Sequence, residues 1–252
     1  MSRGAIGFFD SGVGGLSVLR AVVELLPNED TDYIADSANC PYGGRPAAEI
    51  RELSMLHAET LIARGAKMVV VACNTATAAA VDVLRAAWPD VPFVGMEPAV
   101  KPAAMQSRSG TVAVLATEGT FKGRLWRETS ARCASHVRIV KCIADEFVGF
   151  VERGELDGAA VEAAVRERVV PLIAKGADHI VLGCTHFPFL KPVIERIAAG
   201  RAKVIDPSPA VARRVKSVLE ERGLANDSVD VRAFHRFETT SAGGKLNPSL
   251  YL

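Results

Sequence analysis

Two cysteines stand where chemistry is easiest to place. Val69-Val70-Val71-Ala72-Cys73-Asn74-Thr75 and Ile180-Val181-Leu182-Gly183-Cys184-Thr185-His186 share one design: a buried strand, a small residue, a thiol, then polar residues and a new helix. Ligands of open parallel sheets sit at the carboxyl ends of the strands, where both thiols fall. A free thiol titrates near ~8.5, and a helix amino-terminus or neighbouring donors bring a thiolate within reach of neutral pH. One such thiol suggests a nucleophile with a base. Two of them, equivalently placed, suggest inversion of a stereocentre, in which one group removes a proton from one face of a carbon and the other returns a proton to the opposite face. Free cysteine often behaves as a small buried hydrophobe, and that reading suits Cys133 and Cys142. It suits Cys73 and Cys184 poorly, because Asn74, Thr75, Thr185 and His186 make poor core neighbours.

Other reactive types gather at strand ends. Phe8-Phe9-Asp10-Ser11-Gly12-Val13-Gly14-Gly15 joins a carboxylate and a hydroxyl to a Gly-rich turn. Its glycine spacing matches neither the dinucleotide fingerprint nor the phosphate-cradling loop with its Lys, so its backbone N–H groups are candidates for holding a carboxylate. Asp10 can also serve as a helix cap. His186, two residues after Cys184, is placed to polarise that thiol or bind a substrate. Asp36-Ser37-Ala38-Asn39-Cys40-Pro41-Tyr42-Gly43-Gly44 is a long polar loop suited to covering a small ligand. A metal site from Cys184, His186, Cys73 and Asp10 lacks the closely spaced ligand pairs of structural zinc, so no metal is expected.

The elements that must position these groups are repeated βα units. Short apolar runs predict strands at Ala5 to Phe9, Thr31 to Ala35, Met68 to Ala72, Phe93 to Gly95, Thr111 to Leu115, Val137 to Val140, His179 to Gly183 and Lys203 to Ile205. Helical periods fill the gaps, for example Ala47 to Arg64 and Gly158 to Lys175. The fold class is therefore α/β, with mainly parallel sheets. Glu97-Pro98 and Asp206-Pro207-Ser208-Pro209 read as crossings between two domains, residues 1–98 with 207–252 and residues 99–206. An approximate two-fold between them would make the thiols face each other across a cleft that holds the active site.

The whole chain excludes several classes. Its 252 residues can bury a sizeable core, and the 49% apolar but only 6% aromatic composition suits Ala/Val/Leu helices on Val/Ile strands. Thirty basic against 29 acidic residues leave a formal charge of +1 with no charged block, which gives no footprint for nucleic acid or an anionic membrane. Five unevenly spaced cysteines argue against a disulfide framework and for a reducing cytosol. No signal-like leader and no apolar run of ~20 residues is present, so a soluble cytoplasmic protein is expected.

Four motifs in order, Phe9-Asp10-Ser11-Gly12-Val13-Gly14-Gly15, Cys40-Pro41-Tyr42-Gly43, Ala72-Cys73-Asn74-Thr75-Ala76-Thr77 and Gly183-Cys184-Thr185-His186-Phe187-Pro188, resemble those of cofactor-independent glutamate racemases over nearly the whole chain. The resemblance implies two pseudo-symmetric α/β domains that interconvert L- and D-glutamate to supply the D-isomer for peptidoglycan, without pyridoxal phosphate or metal. It implies Cys73 and Cys184 as the proton donor/acceptor pair, one specific to each enantiomer, with Asp10 and His186 assisting. Asp10, Ser11, Tyr42, Gly43, Asn74, Thr75, Thr185 and His186 would contact glutamate, and Thr117 and Thr120 would hold its carboxylate.

The chain departs from the family pattern in Cys142-Ile143-Ala144-Asp145-Glu146-Phe147-Val148-Gly149-Phe150-Val151-Glu152, which leaves Glu152 as the equivalent of the family's acidic residue. It departs again at Asp206 to Pro209. The longer amino-terminal extension by which some members sense a cell-wall precursor is not seen, so that regulation is not expected. A homodimer is compatible with the sequence. Rival readings are a racemase or isomerase of another small acid, such as aspartate, a hydantoin or maleate, and a non-catalytic protein that closes two domains on a carboxylate.

Overall fold

The computed structural model describes residues 4–133, 137–226, 233–242 and 248–251. The chain divides into two compact units, Met1–Met96 with Ser208–Leu252 and Glu97–Pro207. In the first, β1 (Ile6–Asp10), α1 (Leu16–Leu25), β2 (Thr31–Ala35), α2 (Ala47–Ala63), β3 (Met68–Val71), α3 (Asn74–Ala87) and β4 (Phe93–Gly95) follow one another. The second runs α4 (Val100–Gln106), β5 (Thr111–Ala116), α5 (Glu118–Lys122), α6 (Arg124–Cys133), β6 (Arg138–Ile143), α7 (Glu146–Glu152), α8 (Ala159–Ala174), β7 (His179–Leu182), α9 (Lys191–Ala198) and β8 (Lys203–Ile205). The chain then returns to the first unit with α10 (Ser208–Arg222) and β9 (His235–Thr239).

Every described strand pairing is parallel. The orders are β4-β3-β1-β2-β9 and β6-β5-β7-β8. Numbered within its own unit, each sheet has its first strand between its second and its third, with the fourth outside the third. The two sheets therefore share one topology, and β9 is added at the outer edge of β2. The α/β class with parallel sheets is as the sequence predicts.

Sequence explains the layering. β1, β2, β3 and β7 are buried at every position, the mark of parallel strands covered by helices on both faces. In the first unit Phe9, Val69 and Val71 pack against Ile50, Leu61, Ala80 and Leu84 of α2 and α3. The alternating neighbours Phe8 and Val70 are buried as well, so both faces of the sheet are covered. In the second, Val112, Val114 and Val181 meet Val100 and Trp126, whose ring stands edge-on to Phe121 at 4.8 Å between centroids.

Two corrections concern sheet edges. β6 extends to Ile143, past the expected Val140, because all six residues pair with β5 even though its outer positions are solvated. Cys142 on this strand is only half-buried, so the small-hydrophobe reading holds for Cys133 and not for Cys142. β9 had no counterpart among the expected strands.

The helices that feed the two cysteine strands end alike. Gly65 follows α2 at φ 89° and Gly176 follows α8 at φ 87°. In each the glycine N–H reaches back to the carbonyl of Ile62 or Ile173, and the next N–H reaches that of Leu61 or Leu172. This is the Schellman closure, which needs a left-handed residue and so selects Gly. Each close sets the chain directly into β3 or β7. No atom crowds a Cβ at either site, so alanine there meets backbone strain alone. Gly65→Ala and Gly176→Ala are each expected to destabilise the protein by about 1–2 kcal/mol, read as a lower denaturation midpoint.

Candidate functional site

The strand order of each unit reverses between its first and third strands, β1 with β3 and β5 with β7. At such a switch point the loops leaving adjacent strands diverge to opposite faces and open a crevice at the carboxyl ends. In the first unit Phe9 is level with Val71, so Asp10 and Ser11 leave β1 beside Ala72 and Cys73 leaving β3. In the second Leu115 is level with Leu182, so Ala116 and Thr117 leave β5 beside Gly183 and Cys184 leaving β7. The thiols thus occupy corresponding positions in the two units.

Cys73 is the N-cap of α3, in extended conformation. Its Sγ accepts from the Ala76 N–H at 3.4 Å and donates toward Ser11 Oγ at 3.9 Å. Ser11 Oγ donates in turn to Asp10 Oδ1 at 3.4 Å, and Asp10 Oδ2 accepts from the Gly15 N–H at 2.7 Å. Asp10 therefore orders the Gly-rich turn while its other oxygen faces Ser11. The positive end of α3 and the Ala76 N–H both favour negative charge on sulfur. Thr75 is buried alongside. Asn74 is only 4% exposed, yet neither its Oδ1 nor its Nδ2 has a partner among the described residues. A buried amide left without partners is costly and marks a place for a ligand's polar atoms.

Cys184 sits differently. A 3₁₀ turn over Phe187–Leu190 separates it from α9, and Pro188 and Pro192, which lack N–H groups, stand in the first turns of these two elements. Its partner is an imidazole, not a helix end: Sγ lies 3.7 Å from His186 Nδ1. His186 Nε2 lies 2.6 Å from Glu152 Oε1, on the last residue of α7. An ionised carboxylate only accepts, so Nε2 carries the proton and Nδ1 presents its lone pair to the thiol. Sulfur, imidazole and carboxylate form a relay in which Glu152 orients the ring and supports its cationic form. Thr185 is buried beside the thiol, and Thr117 and Thr120 share a 3.0 Å hydroxyl contact at the end of β5.

The loop after β2 is ordered by a group that sequence reading did not single out. Asp36, fully buried, accepts from Tyr42 Oη at 2.6 Å, from Asn39 Nδ2 at 3.0 Å and from Thr240 Oγ1 at 2.7 Å. His57 Nε2 lies 3.0 Å from Asp36 Oδ2. Burial pushes this carboxyl up, but the bonds from His57, Tyr42, Thr240 and Asn39 outweigh it and hold the group well below the usual carboxylate range. The same burial and the same carboxylate drive the Tyr42 hydroxyl well above its ordinary value, which keeps it a neutral donor. Tyr42 thus spends its hydroxyl inside the protein, and what it and Gly43 can offer a ligand is backbone. Within either unit, the described residues bring no three His, Cys, Asp or Glu ligand atoms together.

The sequence and the fold have known relatives. The model of the Asp/Glu/hydantoin racemases matches residues 6–215. The chain belongs to this family. Glutamate racemase of Roseiflexus sp. is 50% identical over 219 residues, 87% of this chain and 80% of its own. The crystal structure of glutamate racemase from Francisella tularensis in complex with D-glutamate superposes with a TM-score of 0.82 at 30% identity, covering 96% of this chain and 90% of that one. The Escherichia coli enzyme, in complex with L-glutamate and activator UDP-MurNAc-ala, gives 0.82 at 32% identity over 94% and 98%. No helix among the described residues is long and apolar enough to cross a membrane.

Two outcomes are expected. Glu152→Gln keeps a hydrogen-bond partner for His186 but removes the charge that supports imidazolium. Alkylation of Cys184 near pH 7 should slow several-fold while that of Cys73 does not change, as mass mapping of iodoacetamide adducts would show. For Asp36 the depressed carboxyl contributes stability that is present above about pH 4, the unfolded value, and is lost as pH falls through the lower folded value. Asp36→Asn should therefore be less stable than the parent at neutral pH and lose less on acidification, measured by urea melts across a pH series.

Proposed function

We propose that the protein interconverts L- and D-glutamate by two-base proton transfer at the α-carbon, with Cys73 and Cys184 as the two bases. The observation that carries this reading is the corresponding placement of one supported thiol after the third strand of each unit, Cys73 with Ser11 and the Ala76 N–H, Cys184 with His186. The curated relatives similar over most of the chain are named glutamate racemases, and two similar solved structures hold D-glutamate or L-glutamate. Glutamate as substrate follows from these, and supply of the D-isomer for peptidoglycan is the corresponding role.

In the reaction one thiolate takes the α-proton and becomes a thiol, while the other thiol protonates the opposite face and becomes a thiolate. Charge and protons balance within the enzyme, and the reverse reaction starts from the exchanged state. Each group must act in either protonation form, and a thiol can do so. Asp10 acts on the Cys73 side through Ser11, and His186 with Glu152 acts on the Cys184 side. Asn74, Thr75 and Thr185 are the polar contacts offered to substrate, with Thr117 and Thr120 for its carboxylate. A reducing cytoplasm is the corresponding compartment, since both thiols must stay unpaired.

Purified enzyme incubated with D-glutamate in deuterated water should place deuterium on the α-carbon as optical rotation is lost, and absence of exchange would sink the reading. Cys73→Ala and Cys184→Ala should each abolish racemisation, whereas Cys133→Ala, in the core against Trp126, should leave activity nearly unchanged. A panel including aspartate separates glutamate from other small acids.

A further inference from the structure

Around Asp36, Asn39 and Tyr42 come from its own loop and His57 from α2, while one group comes from beyond the residues that the family model matches. Thr240 follows β9, while the match ends at residue 215. Its backbone N–H donates to Ala35 O at 3.0 Å and so continues the β2–β9 ladder by one step. Its hydroxyl then works in both directions. Oγ1 donates to Asp36 Oδ1 at 2.7 Å and accepts from the Ala38 N–H at 3.1 Å.

These bonds bear on the loop proposed to meet substrate. Asp36 Oδ2 holds the Tyr42 hydroxyl, Asn39 Nδ2 spans both carboxylate oxygens, and Arg45 Nε reaches Asn39 O at 2.7 Å. The Asp36 N–H donates to Asp10 O at 2.9 Å, which joins the root of the loop to the strand end that carries Asp10 and Ser11. Among the described residues, Thr240 therefore connects β9 to the 36–43 loop.

We infer that Thr240 is a positioning residue for the substrate-binding loop, acting through Asp36 and the Ala38 N–H, so that the carboxyl-terminal strand sets how well substrate is held. The role rests on the proposed racemase reading for its kinetic consequence, but the loop contact itself does not. Five residue pairs join β2 to β9 without the Thr240 side chain, so removing the hydroxyl leaves the sheet intact and loosens the loop alone. The hydrogen bonds of Thr240, Asp36, Asn39 and Tyr42 end on neither thiol, so binding should suffer more than proton transfer.

The test uses the full chain with Thr240→Val, which keeps the shape and deletes the hydroxyl, and Thr240→Ser, which restores it. Thr240→Ala makes the same deletion should valine disturb the strand end. Thr240→Val should raise KM for both glutamate enantiomers by about tenfold, the worth of one hydrogen bond, with kcat within about twofold. Thr240→Ser should return KM close to the parent value. Independently of turnover, iodoacetamide labelling of Cys40, in the loop, should accelerate several-fold in Thr240→Val and Thr240→Ala but not in Thr240→Ser, with Cys133 labelling constant as the internal control.

Unchanged Cys40 labelling, or a kcat loss at constant KM, would overturn the positioning role. A serine variant that behaves like valine would do the same. Faster Cys40 labelling in an enzyme whose parent form does not racemise glutamate would instead remove the proposed reaction and leave Thr240 as the anchor of this loop.

Discussion

Parallel pairing of β1 with β3, and of β5 with β7, is the constraint on which the rest of the structure depends. Parallel strands must all be entered from one edge and left from the other, so every loop that follows a strand emerges on the same side of its sheet. The reversal of winding between first and third strands then keeps those two loops adjacent without a helix lying between them. Each unit places a thiol on the third strand's exit and hydroxyl-bearing residues on the first strand's exit. No long-range search by side chains is needed, because strand register alone fixes Cys73 level with Ser11 and Cys184 level with Thr117.

Within this shared frame the two thiols are supported by different physics. Cys73 has backbone support, a helix amino-terminus and one amide N–H, beside a serine hydroxyl backed by Asp10. Cys184 relies on side chains, an imidazole held by a carboxylate. The difference traces to the segment on the carboxyl side of each cysteine. Asn-Thr-Ala-Thr-Ala-Ala-Ala enters an α-helix at once, whereas His-Phe-Pro-Phe-Leu-Lys-Pro first makes a 3₁₀ turn, and that turn removes the helix end that would otherwise face the sulfur. The two thiols therefore stand at corresponding places with supports of unlike chemistry, and a substitution at one leaves the other's support in place.

Much of this was legible in the sequence, for a physical reason. Strands buried on both faces must be continuous apolar runs, and Val69-Val70-Val71 or Ile180-Val181-Leu182 can hardly be read otherwise. β9 escaped because an edge strand carries no such run: His235-Arg236-Phe237-Glu238-Thr239 alternates with solvent and gains its place from β2. The Asp36 cluster escaped because the loop motif shows Tyr42 but not what its hydroxyl binds, and because His57 and Thr240 lie far from Asp36 in sequence and belong to no motif. His57 gives no sign within α2 that it is buried against a carboxylate, and Thr240 lies 204 residues from Asp36. Glu152 was reached by resemblance, and its bond to His186 appears only once α7 is placed beside the 3₁₀ turn.

The return of α10 and β9 to the first unit has a consequence for the order in which this chain can be built. The second unit is continuous, and an emerging polypeptide holds all of its strands once β8 has left the ribosome. The first unit must wait with β2 as a bare sheet edge, its apolar faces short of α10, until more than a hundred further residues have been made. An uncapped parallel edge is a template for pairing with other chains. During synthesis the half of the protein that is encoded first is therefore the half completed last, and it is the half that depends most on being shielded in the interval.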